Sequence, residues 1–523
     1  MQESRIRHPA MPVRGAGRIG PRRNRGLHSI LMVPNDLKTF LEDLERAGEL
    51  VRIRQPVSVN LEITEIADRV MKSPGGGKAL LFEKPVLHDG SLSELPVAIN
   101  IFGSWSRMAR ALGVDDVKEH GDRIAELLRP DIPKGFWAKV QMLPRFAELA
   151  KVPPREYRGK PPCQEIVLEG DDVDLRKLPI LTSWPKDAGP FITLPMVITR
   201  DPENGVQNLG MYRMQVTGPR TTFMHWQRHK GGAGHYRKYR ELGIQRMPVA
   251  VAIGADAATM YTPTAPLPPG IDEYLFSGFL RKQPLMISAA IGSELRVPAE
   301  AEIVLEGYVD TTEPLGMEGP FGDHTGFYTP ADLFPVFHIE RITMRKNAIY
   351  PTTIVGIPPV EDVYLGGATE RIFLPLLKLT MPEIVDYHMP PEGVFHNLVF
   401  VSIRKEYPGH AFKVMNGLWG QGLMSLAKVI VIVDDFIDVK NVQEAWWYAL
   451  NNIDPERDVR FTMGPIDDLD HSSRSPAFGS KMGIDGTRKW VEEGFTRPWP
   501  DVVEMDPAVR AKIDALWPKL GLD

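Results

Sequence analysis

The chain has 523 residues, and at about 150 residues per domain this length predicts two to four domains. Its composition, 43% apolar and 25% charged, excludes a disordered or fibrous chain, and the formal charge of −5 argues against nucleic acid as the main partner. The 46 glycines and 47 prolines favour a turn-rich β or α/β fold. No stretch reaches the about 18 uninterrupted apolar residues that a membrane span needs. The single cysteine, Cys163, excludes an internal disulfide framework.

Residues 1–31 form a basic segment in which seven arginines stand against one acid, Glu3, without apolar periodicity. We expect a flexible arm, with folding beginning at Met32. Two alternatives stay open: an artefact of an early start codon, and a targeting presequence, which would also be rich in arginine and poor in acids.

The next segment predicts a small α/β unit, because two stretches have helical spacing of apolar residues and two are strand-like. A glycine run, Ser73–Gly77, precedes Lys78, but it leaves a helix and enters a strand, whereas a phosphate loop runs from strand to helix. We therefore predict a turn there. The expected helices lie around Leu37–Leu44 and Ile63–Val70, and the expected strands over Leu50–Val57 and Ala79–Phe82.

Residues 120–165 predict a helical connector broken by prolines. From Val167 to about Ile342, short strands between turn signals predict a barrel or sandwich, interrupted by a helix over Ile271–Arg281. Beyond residue 360 the pattern returns to α/β. The strands expected in the β region are Leu194–Thr199, Asn208–Val216, Val249–Tyr261, Pro284–Ala290, Ala301–Val309 and Phe334–Met344. The elements expected after this region are the strand Val429–Val433 and the helices Val442–Leu450 and Asp506–Leu520.

Several polar residues in the β region could carry chemistry. Asn208 and Arg213 lie five apart in one expected strand, so they should face opposite ways unless a bulge near Gly210 intervenes; solvated strand ends are the alternative. His225 and His229 are four apart, but the phrase lacks the glutamate of the HExxH zinc motif and either could be a loop residue.

Glu273 sits in the first turn of the expected helix at 271–281, where the helix dipole favours a carboxylate in any case. Together with the Asn208 amide and one imidazole, it would also suit Mg²⁺ or Mn²⁺. Glu318 and Asp323 bracket a Gly/Pro-rich turn, and with Arg213 they could form a proton-handling network; an ordinary turn is the alternative.

Five phrases recur in one known family: Asn208–Arg213 (NLGMYR), Arg228–Gly232 (RHKGG), Asp272–Tyr274 (DEY), Glu318–Gly326 (EGPFGDHTG) and Gly479–Ile484 (GSKMGI). Taken together, they resemble the UbiD family of decarboxylases, which use prenylated FMN. The resemblance extends from about residue 35 to 520. It is strongest in the branch that converts 3-polyprenyl-4-hydroxybenzoate to 2-polyprenylphenol in ubiquinone biosynthesis.

The resemblance implies a mixed α/β fold with an N-terminal α/β domain (32–125), a split β-barrel that binds the flavin (126–331), and a C-terminal α/β domain (332–490) that drives dimer or hexamer assembly. A helical tail (491–523) would follow. It implies that Asn208, His229 and Glu273 bind Mn²⁺, and that the segment Thr262–Ala265 holds a K⁺ ion. The implied cofactor contacts are Met211, Tyr212, Arg213, His225, Trp226, Gln227, Lys230 and Gly231.

The resemblance also implies that Arg213, Glu318 and Asp323 are the catalytic triad. Its third member is Glu in some branches and Asp here, as in the ubiquinone branch. Asp323 would donate the proton that replaces CO₂, Arg213 would orient the substrate carboxylate, and Glu318 would tune the network.

The expected substrate is therefore an aromatic acid, and a flavin prenyltransferase would supply the cofactor. A cytoplasmic enzyme with peripheral membrane contact is expected because a polyprenyl tail partitions into lipid. Three other functions stay open: decarboxylation or carboxylation of another aromatic or heteroaromatic acid, a metal-dependent hydrolase built on His225, His229 and Glu273, and an FMN oxidoreductase, against which the lack of a GxGxxG fingerprint counts.

Overall fold

The structure, a computed structural model, describes residues 33–128, 152–228, 230–267 and 271–522. The expected basic arm, residues 129–151 of the expected connector and His229 lie outside the described residues.

The N-terminal unit begins with a helix whose start and buried face follow directly from the sequence. The Asp36 carboxylate accepts a hydrogen bond from the Thr39 amide at 2.8 Å and caps the helix, and Leu37, Phe40 and Leu44 are fully buried. Both expected helices are confirmed. The elements are α1 (Leu37–Arg46), β1 (Leu50–Ile53), β2 (Val57–Ser58), α2 (Glu62–Met71), β3 (Ala79–Phe82), β4 (Pro85–Val86), β5 (Val97–Ile99), α3 (Trp105–Ala111) and α4 (Lys118–Leu128).

The middle of the chain is mostly β. Its helices are α5 (Gly231–Glu241), α6 (Ala257–Tyr261) and α7 (Glu273–Arg281). Its strands are β6 (Arg155–Glu156), β7 (Ile166–Glu169), β8 (Phe191–Ile192), β9 (Pro195–Arg200), β10 (Gln207–Gly210), β11 (Met214–Gly218), β12 (Thr221–Met224), β13 (Arg246–Ile253), β14 (Met286–Ala289), β15 (Arg296–Pro298), β16 (Ile303–Asp310), β17 (Gly316–Glu318), β18 (Phe321–Gly322), β19 (Tyr328–Thr329), β20 (Asp332–Phe334), β21 (Val336–Met344) and β22 (Tyr350–Pro351).

A nine-stranded sheet curls into a half-barrel, as the sequence predicts for this region. Its order is β10-β9-β13-β16-β21-β12-β11-β8, with β7 also paired to β21. The first part of β21 pairs with β12 and the last part with β7, and the β16–β21 register shifts between Glu306 and Gly307. Such a bulge increases local twist, which favours curling over a flat sheet. The sheet continues past residue 331, and β22 then joins β5 in the N-terminal sheet β1-β3-β5-β22.

The C-terminal unit is a five-stranded sheet with helices packed against it. Its order is β23-β24-β25-β27-β26, the pairs β24–β25 and β25–β27 are parallel, and β24 and β25 are strongly apolar. The elements are α8 (Asp362–Thr380), β23 (Ile384–His388), β24 (Leu398–Ile403), α9 (His410–Trp419), β25 (Val429–Asp434), α10 (Val442–Asn452), α11 (Pro455–Asp458), β26 (Val459–Pro465), β27 (Phe478–Asp485) and α12 (Pro507–Leu516).

Four strands expected from the sequence are not continuous. The strand expected over Leu50–Val57 is divided into β1 and β2, and the strand expected over Phe334–Met344 is divided between β20 and β21 at Pro335, which has no amide N–H to donate. The strand expected over Val249–Tyr261 ends at Ile253, because Gly254 takes a positive φ of 75° and Asp256 then caps α6 through the Thr259 amide. A uniformly buried apolar run does not distinguish strand from helix by its period. The strand expected over Asn208–Val216 is interrupted between Gly210 and Met214.

The last helix begins as predicted: the Asp506 carboxylate accepts hydrogen bonds from the amides of Ala508 and Val509, with Pro507 in the first turn. Among the described residues, no helix is both long and apolar enough to cross a membrane.

Candidate active site

One arginine joins both acids of the Glu318–Asp323 phrase. The Arg213 guanidinium donates to Glu318 from Nε at 2.8 Å and from Nη2 at 3.1 Å, and Nη1 donates to Asp323 Oδ2. All three side chains are nearly or fully buried. Buried charges are retained where they are paired and hydrogen-bonded, as they are here. The predicted catalytic residues therefore form one cluster.

The interruption between β10 and β11 is what aims Arg213 at the acids. Because Arg213 lies in the non-strand segment between Gly210 and Met214, strand alternation does not fix its direction relative to Asn208. Its guanidinium lies over the Phe321 ring, 4.6 Å from the ring centroid. The irregular backbone thus replaces the opposite-face arrangement that a regular strand would impose.

Charge pairing sets the ionisation of the two acids. Burial works to raise the pKa of Glu318, but hydrogen bonds from His225 and Arg213 lower it to about 2. Burial likewise opposes ionisation of Asp323, yet the charges of Arg213 and His324 lower its pKa. Both acids are therefore carboxylates at neutral pH in the resting site.

Asp323 has further hydrogen-bond donors that hold it in place. Thr329 Oγ1 donates to Oδ2 at 2.9 Å, and the His324 amide donates to Oδ1 at 2.7 Å. The His324 ring bonds Asp362 at the start of α8, and although burial lowers the pKa of His324, this bond and the Asp362 charge raise it to about 9. Sequence reasoning missed His324 and Asp362 as site neighbours, and only the position of His324 beside Asp323 could have suggested one of them.

A second cluster lies at the start of β10. Glu273, in the first turn of α7, accepts a hydrogen bond from the Leu209 amide at 3.2 Å, and burial raises the pKa of Glu273 to about 7. Asn208 Nδ2 is buried without a hydrogen-bond partner in the described structure. The Asn208 amide oxygen and the Glu273 carboxylate are hard oxygen ligands of the kind that Mg²⁺ or Mn²⁺ binds, so these two residues fit the predicted metal site, while the unpartnered Nδ2 is free to donate to an acceptor such as a phosphate oxygen. No group of three His, Cys, Asp or Glu side chains placed to bind a metal occurs in the described ranges, and His229 is outside them.

The N-terminus of α5 lies beside this cluster and suits an anion. Trp226 Nε1 is buried and unpartnered within the described structure, and a Cβ added at Gly232 would lie 2.6 Å from it. Lys230 immediately precedes the helix. Burial lowers the pKa of Lys230, and the negative charge of Asp467, from the C-terminal unit, opposes this shift by raising it. Helix amides, an indole N–H and an ammonium together form a set of donors that a phosphate group fits.

The remaining predicted contacts are placed as follows. Tyr212 is buried and its hydroxyl accepts a hydrogen bond from the Gly232 amide at 3.3 Å, which ties the Arg213 segment to α5. Met211 packs partly buried against the core that joins the N-terminal unit to the barrel, and Gln227 is half-buried. Thr262–Thr264, in the expected K⁺ segment, form a short 3₁₀ turn.

Gly231 provides a test of this arrangement. A Cβ at Gly231 would overlap the Asn208 amide, so Gly231→Ala should displace Asn208 and reduce bound metal and flavin by more than about tenfold, an effect expected for a disturbed metal ligand. Gly234→Ala, in the same helix, is the matched control, because its Cβ would meet only Arg237 Nη2 at 3.9 Å. Metal and flavin content of purified protein measure the effect; equal content in the two variants would contradict the placement of Asn208.

Comparisons with known proteins show the family to which the chain belongs. The family models of 3-octaprenyl-4-hydroxybenzoate carboxy-lyase match in three segments: its N-terminal domain over residues 41–127, its Rift-related domain over 155–358 and its C-terminal domain over 363–486. Uncharacterized proteins of Aquifex aeolicus and Archaeoglobus fulgidus are 52% and 51% identical, each over 93% of this chain and over 99% and 98% of their own length.

Among solved structures, the vanillic acid decarboxylase of Sedimentibacter hydroxybenzoicus in its closed form is similar with a TM-score of 0.80 and 28% identity, over 94% of this chain and 99% of that one. The UbiD-class enzyme HmfF from Pelotomaculum thermopropionicum, in complex with FMN, has a TM-score of 0.74 and 27% identity, over 92% and 99% of the two chains.

The three consecutive matches and the half-barrel with its Arg–Glu–Asp cluster define a decarboxylase of the carboxy-lyase class. The chain belongs to the UbiD family. This family assignment replaces the hydrolase and oxidoreductase alternatives.

Proposed function

We propose that this enzyme removes CO₂ from an aromatic acid, with prenylated FMN as cofactor. The observation that carries the proposal is the buried Arg213–Glu318–Asp323 cluster, which shares the Tyr212–Arg213 segment with the donors around α5. A proton donor and a carboxylate-binding guanidinium are the groups that a non-oxidative decarboxylation requires from the protein.

The residues present fit the cofactor and its metal. Lys230, Gly231, Gly232 and Trp226 would hold the cofactor phosphate, and Asn208, Glu273 and His229 would hold the Mn²⁺ that neutralises it. When bound, prenylated FMN supplies an electrophile and electron sink for the ring carbon that bears the carboxylate.

Arg213 is positioned to bind the substrate carboxylate. Of its five N–H donors, three have carboxylate partners among the described residues, which leaves two for the substrate. A third carboxylate next to Glu318 and Asp323 increases the negative charge around one guanidinium. Arg213 then compensates Asp323 less completely, so substrate binding raises the pKa of Asp323 and allows it to hold a proton.

Asp323 donates that proton to the ring carbon after CO₂ leaves. Its Oδ2 is held by Arg213 and Thr329, which fixes the direction of transfer. Glu318, bonded in two places to Arg213 and also to His225, stays ionised and keeps Arg213 oriented. Burial of the cluster excludes water that could compete as a proton source.

We propose 3-polyprenyl-4-hydroxybenzoate as the substrate, which would place the enzyme in ubiquinone biosynthesis. The family match over all three domains and the Asp at position 323 support it. The second candidate is a smaller aromatic acid, which the similarity to a vanillic acid decarboxylase favours. With the polyprenyl substrate we also propose peripheral contact with the cytoplasmic membrane, tested by fractionation with substrate present.

The test is decarboxylation by protein produced together with a flavin prenyltransferase, after absorbance confirms a loaded flavin. The substrates are 4-hydroxybenzoate, its 3-prenyl derivative and vanillate. Turnover of the prenylated acid alone supports the first substrate, and turnover of vanillate or 4-hydroxybenzoate supports the second. Loaded enzyme that is inactive on a broad panel of aromatic acids contradicts the proposed function.

We further propose a homo-oligomer, a dimer or hexamer, and a K⁺ ion at Thr262–Ala265. An evolved dimeric form of HmfF in complex with prFMN, 28% identical to this chain, supports the first of these. Light scattering of the loaded enzyme tests the oligomeric state. Activity assays in which K⁺ is replaced by Na⁺ test the ion site.

A further inference from the structure

We propose that Asp187 and Gln215 are positioning residues that hold the turn between the two catalytic acids, Gly319–Gly322, in one conformation. Neither was among the residues singled out from the sequence. The inference rests on the proposed function for its catalytic consequence, while the contacts themselves do not depend on it.

Gln215 holds the first end of the turn. Its Oε1 accepts a hydrogen bond from the Gly319 amide at 2.8 Å, directly after Glu318. Its Nε2 donates to the Ala188 carbonyl at 3.2 Å, and the Ala188 amide in turn donates to the Pro320 carbonyl at 2.9 Å. Gln215 is 7% exposed, so both of its polar atoms are satisfied inside the protein.

Asp187 holds the other end. Its Oδ1 accepts a hydrogen bond from the Gly322 amide at 2.7 Å, directly before Asp323. Its Oδ2 accepts from the amides of Ser183 and Trp184 at 3.2 and 2.9 Å, which fixes the carboxylate from behind. Three amide donors on one carboxylate are a strong, directional arrangement.

Trp184 completes this support. Its indole covers Gly322 so closely that an added Cβ there would overlap the ring, and its Nε1 donates to the Val355 carbonyl at 2.8 Å. Phe321, at the centre of the turn, packs on Phe191 with ring centroids 4.5 Å apart and lies under Arg213. The turn is thus fixed at both ends and at its middle.

The consequence is geometric. Arg213 bonds Glu318 and Asp323 at the same time, which requires a fixed separation between residues at the two ends of a four-residue turn. Displacement of a reacting group by about 1 Å can cost about 100-fold in rate. Asp187 and Gln215 hold the backbone of the turn, so their loss should lower kcat more than it changes KM.

The experiment compares Asp187→Ala and Gln215→Met with Asp310→Ala in the flavin-loaded enzyme. Asp310 is the matched control, because it also accepts two donors from a turn (Thr312 amide, 2.8 Å; Thr312 hydroxyl, 2.6 Å) and one from Gln245. We expect kcat to fall about 100-fold in both test variants, with KM within about threefold and flavin content unchanged. Asp187→Asn, which keeps one oxygen for the Gly322 amide, should recover part of the loss.

Two results from the loaded variants would overturn the catalytic consequence: a kcat in both variants equal to that of Asp310→Ala, or flavin content that falls in proportion to kcat. Amide hydrogen exchange over residues 316–324 provides a readout independent of activity. We expect faster exchange in Asp187→Ala and Gln215→Met than in Asp310→Ala. If the loaded wild type decarboxylates no acid, the proposed function fails while exchange still tests the support of the turn; unchanged exchange rejects that support even in an active enzyme.

Discussion

Asp323→Asn is expected to leave flavin and metal bound and to lower decarboxylation by at least about 100-fold, the range for loss of a positioned general acid. An asparagine keeps one side-chain oxygen, which can still accept the hydrogen bond from the His324 amide, while its Nδ2 takes the place of the oxygen that accepts from Thr329 and Arg213. The Thr329 hydroxyl can turn to accept from that Nδ2, so the loop should keep its conformation. The asparagine has no carboxyl proton to deliver and pairs more weakly with Arg213. Turnover and flavin absorbance of the same preparation measure the two effects separately.

Asp332→Asn is the control, since Asp332 is an exposed carboxylate in the same part of the chain, on β20, which pairs with β17. It should retain wild-type turnover. Retained turnover in Asp323→Asn would remove Asp323 from the role of proton donor, and loss of flavin in that variant would move its role to cofactor binding.

Glu273→Ala has the second large expected effect: bound metal and flavin should both fall by more than about tenfold, because a direct ligand is removed. The unloaded variant should nevertheless be at least as stable as unloaded wild type above pH 7. Burial raises the pKa of Glu273 from 4.5 to about 7, so the folded state binds the extra proton between those values. The contribution of Glu273 to the stability of the unloaded wild type should then decrease from pH 4.5 to about 7, and the variant should lose this contribution to the pH dependence.

Glu294→Ala provides the comparison, because Glu294 is 88% exposed and pairs only at the surface with Arg200, at 2.8 Å. Thermal unfolding of unloaded protein from pH 4 to 9, with metal and flavin content after co-production, covers both expectations. Undiminished flavin in Glu273→Ala would contradict the metal assignment. An unloaded variant that is less stable than unloaded wild type above pH 7 would contradict the expectation that burying the Glu273 carboxylate destabilises the folded protein.

Much of the local structure could be predicted because local signals agree with the fold. Helical spacing and an Asp36 cap place α1, and Asp506 with Pro507 places α12. Apolar periodicity failed to predict the change from strand to helix in the fully buried run that continues from β13 into α6. There the chain is buried on every side, and apolar periodicity carries no information about strand or helix.

Short sequence motifs identified the residues of the candidate site, but they did not predict how those residues are placed relative to one another. The strand predicted through Arg213 would have aimed it away from Asn208, and the break after Gly210 removes that constraint. Asp187 and Gln215 have ordinary sequence surroundings, so no spacing rule distinguishes them from the other polar residues of a β-rich domain. Their importance rests on contacts with amides more than 100 positions away along the chain.

The sequence by itself determined the family, the order of its three units and the residue types available for chemistry, because motifs and helix caps are short-range patterns. The tertiary structure alone decided that Arg213 reaches two acids 105 and 110 residues away and that the pKa values of these acids are lowered. It also decided that Glu273 is buried, which raises the pKa of Glu273. Charge pairing and desolvation depend on distances and burial across the whole fold, and neither is a property of neighbouring residues in the chain.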